Sequence, residues 1–253
     1  MLIVISPAKS YTKEVNAPSL NYSQPKYLSE SEKLIGKLRT MSKKKFGELM
    51  GLSKDLINMN MDRHQNWQPP FDINNAEPAI YTFRGEVYLG LDSKTLSNND
   101  INYAEDHLRI LSGLYGCLRP LDLIQPYRLE MGARLKYRRK NNLYQFWGNE
   151  ITKNLNELLV DEKILVNLAS TEYFKSINTK KIKGQIITPV FKDLSNGEYK
   201  SLMTYAKRAR GLMSRYIIQH RVEDIESLKS FNTNGYIYND EMSDTDTLTF
   251  IRD

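Results

Sequence analysis

Residues 111–132 read LSGLYGCLRPLDLIQPYRLEMG. This window holds three glycines, two prolines, two arginines, two tyrosines and the single cysteine, Cys117. Such a composition is too irregular for a plain core helix. Gly113 and Gly116 allow backbone conformations closed to other residues. Pro120 and Pro126 restrict any helix between them to about one turn. A tight glycine turn between helices, flanked by Arg119 and Arg128, is a place where a backbone can meet a phosphate.

Outward from this window the pattern is that of one α+β domain spanning residues 1–253, with a mixed β-sheet surrounded by helices. Leu2–Ile5 is a short apolar run that stops at Ser6-Pro7, so it reads as a buried strand feeding a polar loop. Asn16–Pro25 is loop-like. Leu34, Ile35, Leu38 and Met41 recur at helical spacing from Leu28 onward. Ser42 and Ser53 are placed to cap two further helices. Ala79–Phe83 reads as helix or strand. A helix starts at Asp100 with Ile101, Ala104, Leu108 and Leu111 on one face, and another spans Leu143–Leu159. Ile164–Leu168 and Gln185–Lys192 read as strands, followed by an Asn196-Gly197 turn. Lys200–His220 continues into a basic helix, with Ala206, Ala209, Met213 and Ile217 on its apolar face. Tyr236–Tyr238 and Leu248–Ile251 read as a closing hairpin. No internal repeat or low-complexity linker interrupts the pattern.

Composition sets the class. The chain has 253 residues, 40% of them hydrophobic, with a net charge of +6. Its pI is about 9.1 and its mean hydropathy −0.54. The excess charge favours an anionic partner over a cationic one. A lone cysteine excludes an intramolecular disulfide and suits a reducing compartment. The start, MLIVISPAKS, lacks the features of a signal peptide, and no apolar run approaches a membrane span. A cytoplasmic monomer without a cofactor is expected.

The candidate site residues fall into groups. Lys9 follows the first strand beside Ser6 and Ser10, at the mouth of a strand where an anion would sit. The basic helix carries Lys207, Arg208, Arg210 and Arg215 with no acid among them, and Gly211 permits close approach of a ligand or another backbone. The run Lys136-Tyr137-Arg138-Arg139-Lys140 offers a tyrosine to an exposed base or is simply a surface loop. His64, His107 and His220 stand in no ligand spacing, so no metal site is expected. Cys117 reads as a small core residue more readily than as a peroxide sensor.

Several longer motifs then align with one family. LIVISPAKS, FRGEVYLGL, the window 111–132, LYQFWG, NLASTEYFKSI, AKRARGLMSRYII and FNTNGYIY run nearly end to end. In these the chain resembles the YaaA family of peroxide-stress proteins. The resemblance implies a bacterial cytoplasmic stress protein that limits oxidative damage and is linked to lower free iron. It also implies a family-specific fold with a helix-hairpin-helix-like element, a positively charged cleft, and binding of double-stranded or distorted DNA. On that reading the helix from Asp100, the Gly113–Gly116 turn and a helical start at Pro120 form the hairpin. Arg119 and Arg128 add phosphate contacts, and Pro126 cuts the second helix short. Gly113, Gly116, Arg119, Arg128, Lys207, Arg208, Arg210 and Arg215 are then the DNA- or phosphate-binding candidates.

No reaction comes with the resemblance. Lys9, Glu130 and Lys175 are the catalytic candidates, and with Arg128 and Arg210 they are expected to share one cleft; Glu172 lies in a matching motif beside Lys175. The alternative to DNA binding is an enzyme acting on a nucleotide, a nucleobase or another phosphorylated small molecule in that cleft. A protein-interaction module is a third reading, favoured by a broad apolar patch.

Overall fold

The computed structural model describes residues 1–12, 21–159 and 163–253. The loop expected over Asn16–Pro25 therefore lies in part outside the described residues. The chain begins with β1 (Leu2–Ile5) and the short β2 (Ser10–Tyr11), followed by α1 (Leu28–Arg39), α2 (Lys43–Met50) and α3 (Lys54–Asn66). Short elements come next: β3 (Glu77–Pro78), α4 (Ala79–Thr82), β4 (Phe83–Arg84) and α5 (Glu86–Leu91). Then α6 (Asn98–His107) runs directly into β5 (Leu108–Ser112), followed by β6 (Gly116–Leu118) and β7 (Leu123–Ile124). After α7 (Leu143–Trp147) and α8 (Glu150–Leu158) stand β8 (Ile164–Leu168), α9 (Thr171–Phe174), β9 (Gln185–Ser195) and β10 (Glu198–Lys200). The long α10 (Met203–His220), α11 (Ile225–Lys229), β11 (Ile237–Tyr238) and β12 (Thr247–Arg252) close the order.

Among the described residues eight strands form one mixed sheet in the order β11-β12-β9-β8-β1-β5-β6, with β10 paired to β9. The central strands β12, β9, β8, β1 and β5 are parallel, while β6, β10 and β11 pair antiparallel. In register, Ile3 lies between Leu108 and Val166. Every residue of β1 and β5 is buried, as parallel strands covered on both faces require. The α+β architecture and the three strands expected at Leu2, Ile164 and Gln185 are therefore present. Asn196 and Gly197 both take positive φ and close the β9–β10 hairpin.

The window 111–132 is built differently from its sequence reading. The helix starting near Asp100 ends at His107, and Leu108–Ser112 is a strand that returns through residues 113–115 into β6. This is a β-hairpin, not a pair of helices. The reason is physical: LRILS is buried on both faces, and its Leu108 and Leu111 continue the helical spacing of Ile101 and Ala104, so periodicity does not separate strand from helix. The turn is also covered. Trp147 Nε1 donates to Gly113 O at 3.0 Å. A Cβ on Gly113 would meet Leu129 O at 2.3 Å, and one on Gly116 would meet the Trp147 ring at 2.8 Å. Both glycines are buried, so their close packing is against protein and not a phosphate. Leu111, Leu114 and Leu118 are core residues. Two helices that do meet at a glycine turn are α2 and α3, where Gly51 takes φ 60°.

Other departures have local causes. The helix expected over Leu143–Leu159 breaks at Gly148, whose φ is 54° and ψ −114°. Ser42 caps α2 by accepting from Lys45 N, whereas Ser53 has the extended cap backbone without the side-chain bond.

Candidate functional site

Parallel pairing of β1 and β8 brings two polar loops to one sheet edge, although they are far apart in sequence. Ser6 follows β1 and Ser170 follows β8. Ser170 N donates to Ser6 Oγ at 2.8 Å, and Ser6 Oγ donates to Ser170 Oγ at 3.2 Å. The chain leaves β1 toward β5 on one side and later adds β8 on the other. Beyond the carboxyl end of such a strand, parallel sheets leave a crevice. Here the crevice is a cleft of about 670 Å³.

Helices α5 and α10 form its facing wall, with Val87 and Tyr88 from α5 and Met203, Ala206, Lys207 and Arg210 from α10. The two helices touch backbone to backbone. A Cβ on Gly211 would lie 1.9 Å from Val87 O, and one on Gly90 would lie 2.2 Å from Arg208 O. Gly211 thus admits another helix. This contact locks the FRGEVYLGL segment onto the basic helix and holds Arg210 over the β1 loop. Tyr88 Oη donates to Ser6 O at 3.1 Å, tying the wall to the floor. Burial raises the hydroxyl pKa of Tyr88 and of Tyr173, so both stay protonated.

Among the described residues four cations line the cleft: Lys9, Arg84, Lys207 and Arg210. Two carboxylates, Glu86 and Glu172, accompany them. Arg210 has no carboxylate partner among the described residues, and burial alone lowers its pKa from the ordinary value. A guanidinium never loses its charge in a protein, so a half-buried, unpaired one favours an incoming anion. Glu172 Oε1 accepts from Gly132 N at 2.8 Å, and its carbonyl accepts from Tyr144 Oη at 2.9 Å.

At the mouth, Glu130 Oε1 lies 3.0 Å from Lys9 Nζ and 2.7 Å from Arg128 Nη2. Lys9 is 63% exposed at its side chain, whereas Arg128 and Glu130 are 14% and 20% exposed. Arg128 is held from behind, since its N–H donates to His64 Nε2 at 3.2 Å. The structure therefore brings Lys9, Glu130 and Arg128 together and sets Arg210 in the cleft that Lys9 lines. Lys175 is exposed and does not line that cleft.

The remaining candidates scatter. Arg119 engages Glu105 at 3.5 Å and Asp122 at 3.3 Å. Arg208 is exposed at the rim, 3.7 Å from Glu86. Arg215 Nη1 donates to Leu91 O at 3.1 Å and Asp92 O at 2.9 Å, closing the end of α5. In the basic run, Tyr137 pairs with Lys140 and packs edge-on against Phe146 at 5.5 Å. Residues that sequence reasoning missed are Arg84, Glu86, Tyr88, Ser170, Tyr173 and Met203. The flanks of Gly85 and the Ala-Ser step after β8, which mirrors Ser6 after β1, were the available signals.

Cys117 is buried, and desolvation pushes its thiol pKa up to about 12. His64 is buried against the edge of Phe46, and burial pushes its pKa down to about 4. His107 Nδ1 lies 3.3 Å from Met1 O, and its ring stacks on Tyr103 at 3.9 Å. His220 packs against Tyr216 at 4.7 Å. Among the described residues no three of His, Cys, Asp and Glu group as a metal site. No helix is long and apolar enough to cross a membrane among the described residues.

Comparison with known proteins places this architecture. Residues 1–242 match the family described as peroxide stress protein YaaA. A UPF0246 protein of Aliivibrio fischeri strain MJ11 is 49% identical over 255 residues, covering 100% of this chain and 98% of the relative. A UPF0246 protein of Aliivibrio fischeri strain ATCC 700601 / ES114 matches to the same extent. With a family match over nearly its whole length and relatives at this identity, the chain belongs to the peroxide stress protein YaaA family.

Proposed function

We propose that this chain serves the peroxide stress response by binding double-stranded or distorted DNA through its phosphates, and that this binding limits oxidative damage. One observation carries the reading: Arg210 stands half-buried and, among the described residues, without a carboxylate partner in a cleft it shares with Lys9, Arg84 and Lys207. Exposed Lys43, Lys44, Lys45 and Lys54 at the amino-terminal ends of α2 and α3 add further positive charge. Such contacts neutralise backbone charge and carry no base information.

The test is a titration of labelled duplexes of unrelated sequence across a salt series. Four engaged cations give a slope of log affinity against log salt of about −3 to −4, nearly equal for each sequence. A flat salt response overturns the reading. The carboxylate of Glu172 beside these cations favours a second reading, in which the cleft processes a phosphorylated small molecule; turnover of such a compound would establish it.

A further inference from the structure

We propose that the cleft is shaped for a single nucleoside monophosphate unit, with the base on an apolar wall and the phosphate on Lys207 and Arg210. This rests on the reading of the cleft as a phosphate site and names what enters it. The unit comes from one of two sources, a nucleotide turned out of a DNA duplex or a free nucleotide.

The cleft has the size of a single nucleotide's site. A volume of about 670 Å³ falls within the roughly 300–1,000 Å³ of small-molecule sites. A B-form duplex, whose major groove alone is about 12 Å wide, stays outside. Backbone phosphates of a duplex can reach Arg210 from the rim, but a base that enters the cleft has left the stack or was never in one.

The face that α10 turns to the cleft has a matching pattern. Met203, Ala206, Lys207 and Arg210 follow i, i+3, i+4 and i+7, so they share one helix face. All four line the cleft. That face is apolar at its amino-terminal end and cationic one turn later. Pro7 and Ala8 after β1 line the same cleft, and Val87 stands beside α10, again apolar. Inorganic phosphate has no use for such a wall, whereas a planar base does. Met203 is 73% exposed, an unusual position for a large apolar side chain, and a base laid against it would cover it. Glu172, Ser170 and Ser201 line the same space and offer hydrogen-bonding groups to a base edge or sugar.

The test is calorimetric titration with the four deoxynucleoside 5′-monophosphates, deoxyribose 5-phosphate and inorganic phosphate. The nucleotides should bind at least about tenfold tighter than deoxyribose 5-phosphate, the factor that covering roughly 55 Å² of apolar surface supplies. Met203→Ser, at an exposed position and with no change of charge, should erase that advantage and spare sugar-phosphate binding. Arg210→Gln should weaken both. A duplex carrying one 2-aminopurine separates the sources. A rise in its fluorescence on binding assigns a nucleotide extruded from DNA; no rise beside tight mononucleotide binding assigns the free nucleotide. Equal affinity for nucleotides and deoxyribose 5-phosphate, with duplex binding retained, overturns the inference and leaves the DNA reading standing. Loss of all binding overturns both.

Discussion

Gly211→Ala places a methyl group where α5 already lies. In an exposed helix interior the change stabilises by about 1 kcal/mol, because glycine is the poorer helix former. Here the new Cβ meets Val87 O at 1.9 Å and both Val87 C and Leu91 N at 2.8 Å. These are backbone atoms of a packed helix, so no side chain can swing aside. Ordinary contact starts near 3.4 Å, so α5 and α10 must part by about 1.5 Å, and a gap of that size forfeits much of the dispersion energy between them. Overpacking of this kind costs typically 1–3 kcal/mol and occasionally more. The helix-propensity gain recovers about 1 kcal/mol, so a net loss of about 2 kcal/mol is expected from a clash at the severe end. For a chain of this size that lowers Tm by roughly 4–8 °C. Denaturant unfolding followed by circular dichroism reads the change. Gly90→Ala should behave alike, since its Cβ meets Arg208 O at 2.2 Å. A Gly211→Ala protein more stable than the parent refutes the backbone-on-backbone contact, and with it the reason Arg210 overhangs the β1 loop.

Other outcomes follow from the same geometry. Arg215→Ala removes two charged hydrogen bonds to Leu91 O and Asp92 O and should cost about 1.5–3 kcal/mol without changing DNA affinity per folded molecule; weakened binding would return Arg215 to the site. Cys117, with its thiol pKa near 12, should remain unoxidised by mild peroxide in the native protein and become reactive on unfolding, as mass spectrometry would show. His64 is neutral when folded down to about pH 4, whereas the unfolded chain protonates it near the ordinary 6.5. Its depressed pKa therefore contributes stability that is lost as pH falls from about 6.5 to about 4, some 3 kcal/mol in all. Asp122, raised to about 6 by burial, titrates with the opposite sign between about 3.8 and 6. The comparison is therefore with His64→Gln, in which Asp122 cancels; a stability difference that does not change with pH contradicts the buried, neutral imidazole.

What the sequence disclosed depended on whether a signal was local. The apolar runs of β1, β8 and β9 are short and bounded by turn residues, and Asn196-Gly197 announces its hairpin. The buried face of α10 follows its helical period through Ala206, Ala209, Met213 and Ile217. Leu108–Ser112 misleads because it is buried on both faces and continues the spacing of the helix before it. Glycine is equally ambiguous: Gly113 and Gly116 look like an opening for a ligand, and the Leu129 backbone and the Trp147 ring close it. The cleft itself has no local signature. Lys9 and Glu172 line one cleft because β1 pairs with β8, and Arg210 joins them because Gly90 faces Gly211 across two helices. Arg119 and Arg215 look like their basic neighbours in sequence, and their partners at Glu105, Asp122, Leu91 and Asp92 belong to other elements. Lys175 follows Glu172 by one helical turn and still faces solvent, outside the cleft.

The central claim is that Arg210 and its neighbours hold a phosphate. The most direct measurement is a fluorescence-anisotropy titration of a labelled duplex with the parent protein and with Arg210→Glu, each checked for folding, at low and moderate salt. The account predicts that charge reversal weakens binding by at least about tenfold, as removal of a charged phosphate contact and addition of a repulsive one should. It also predicts a shallower salt dependence in the variant. Equal affinity and equal salt slope for the two proteins would contradict it.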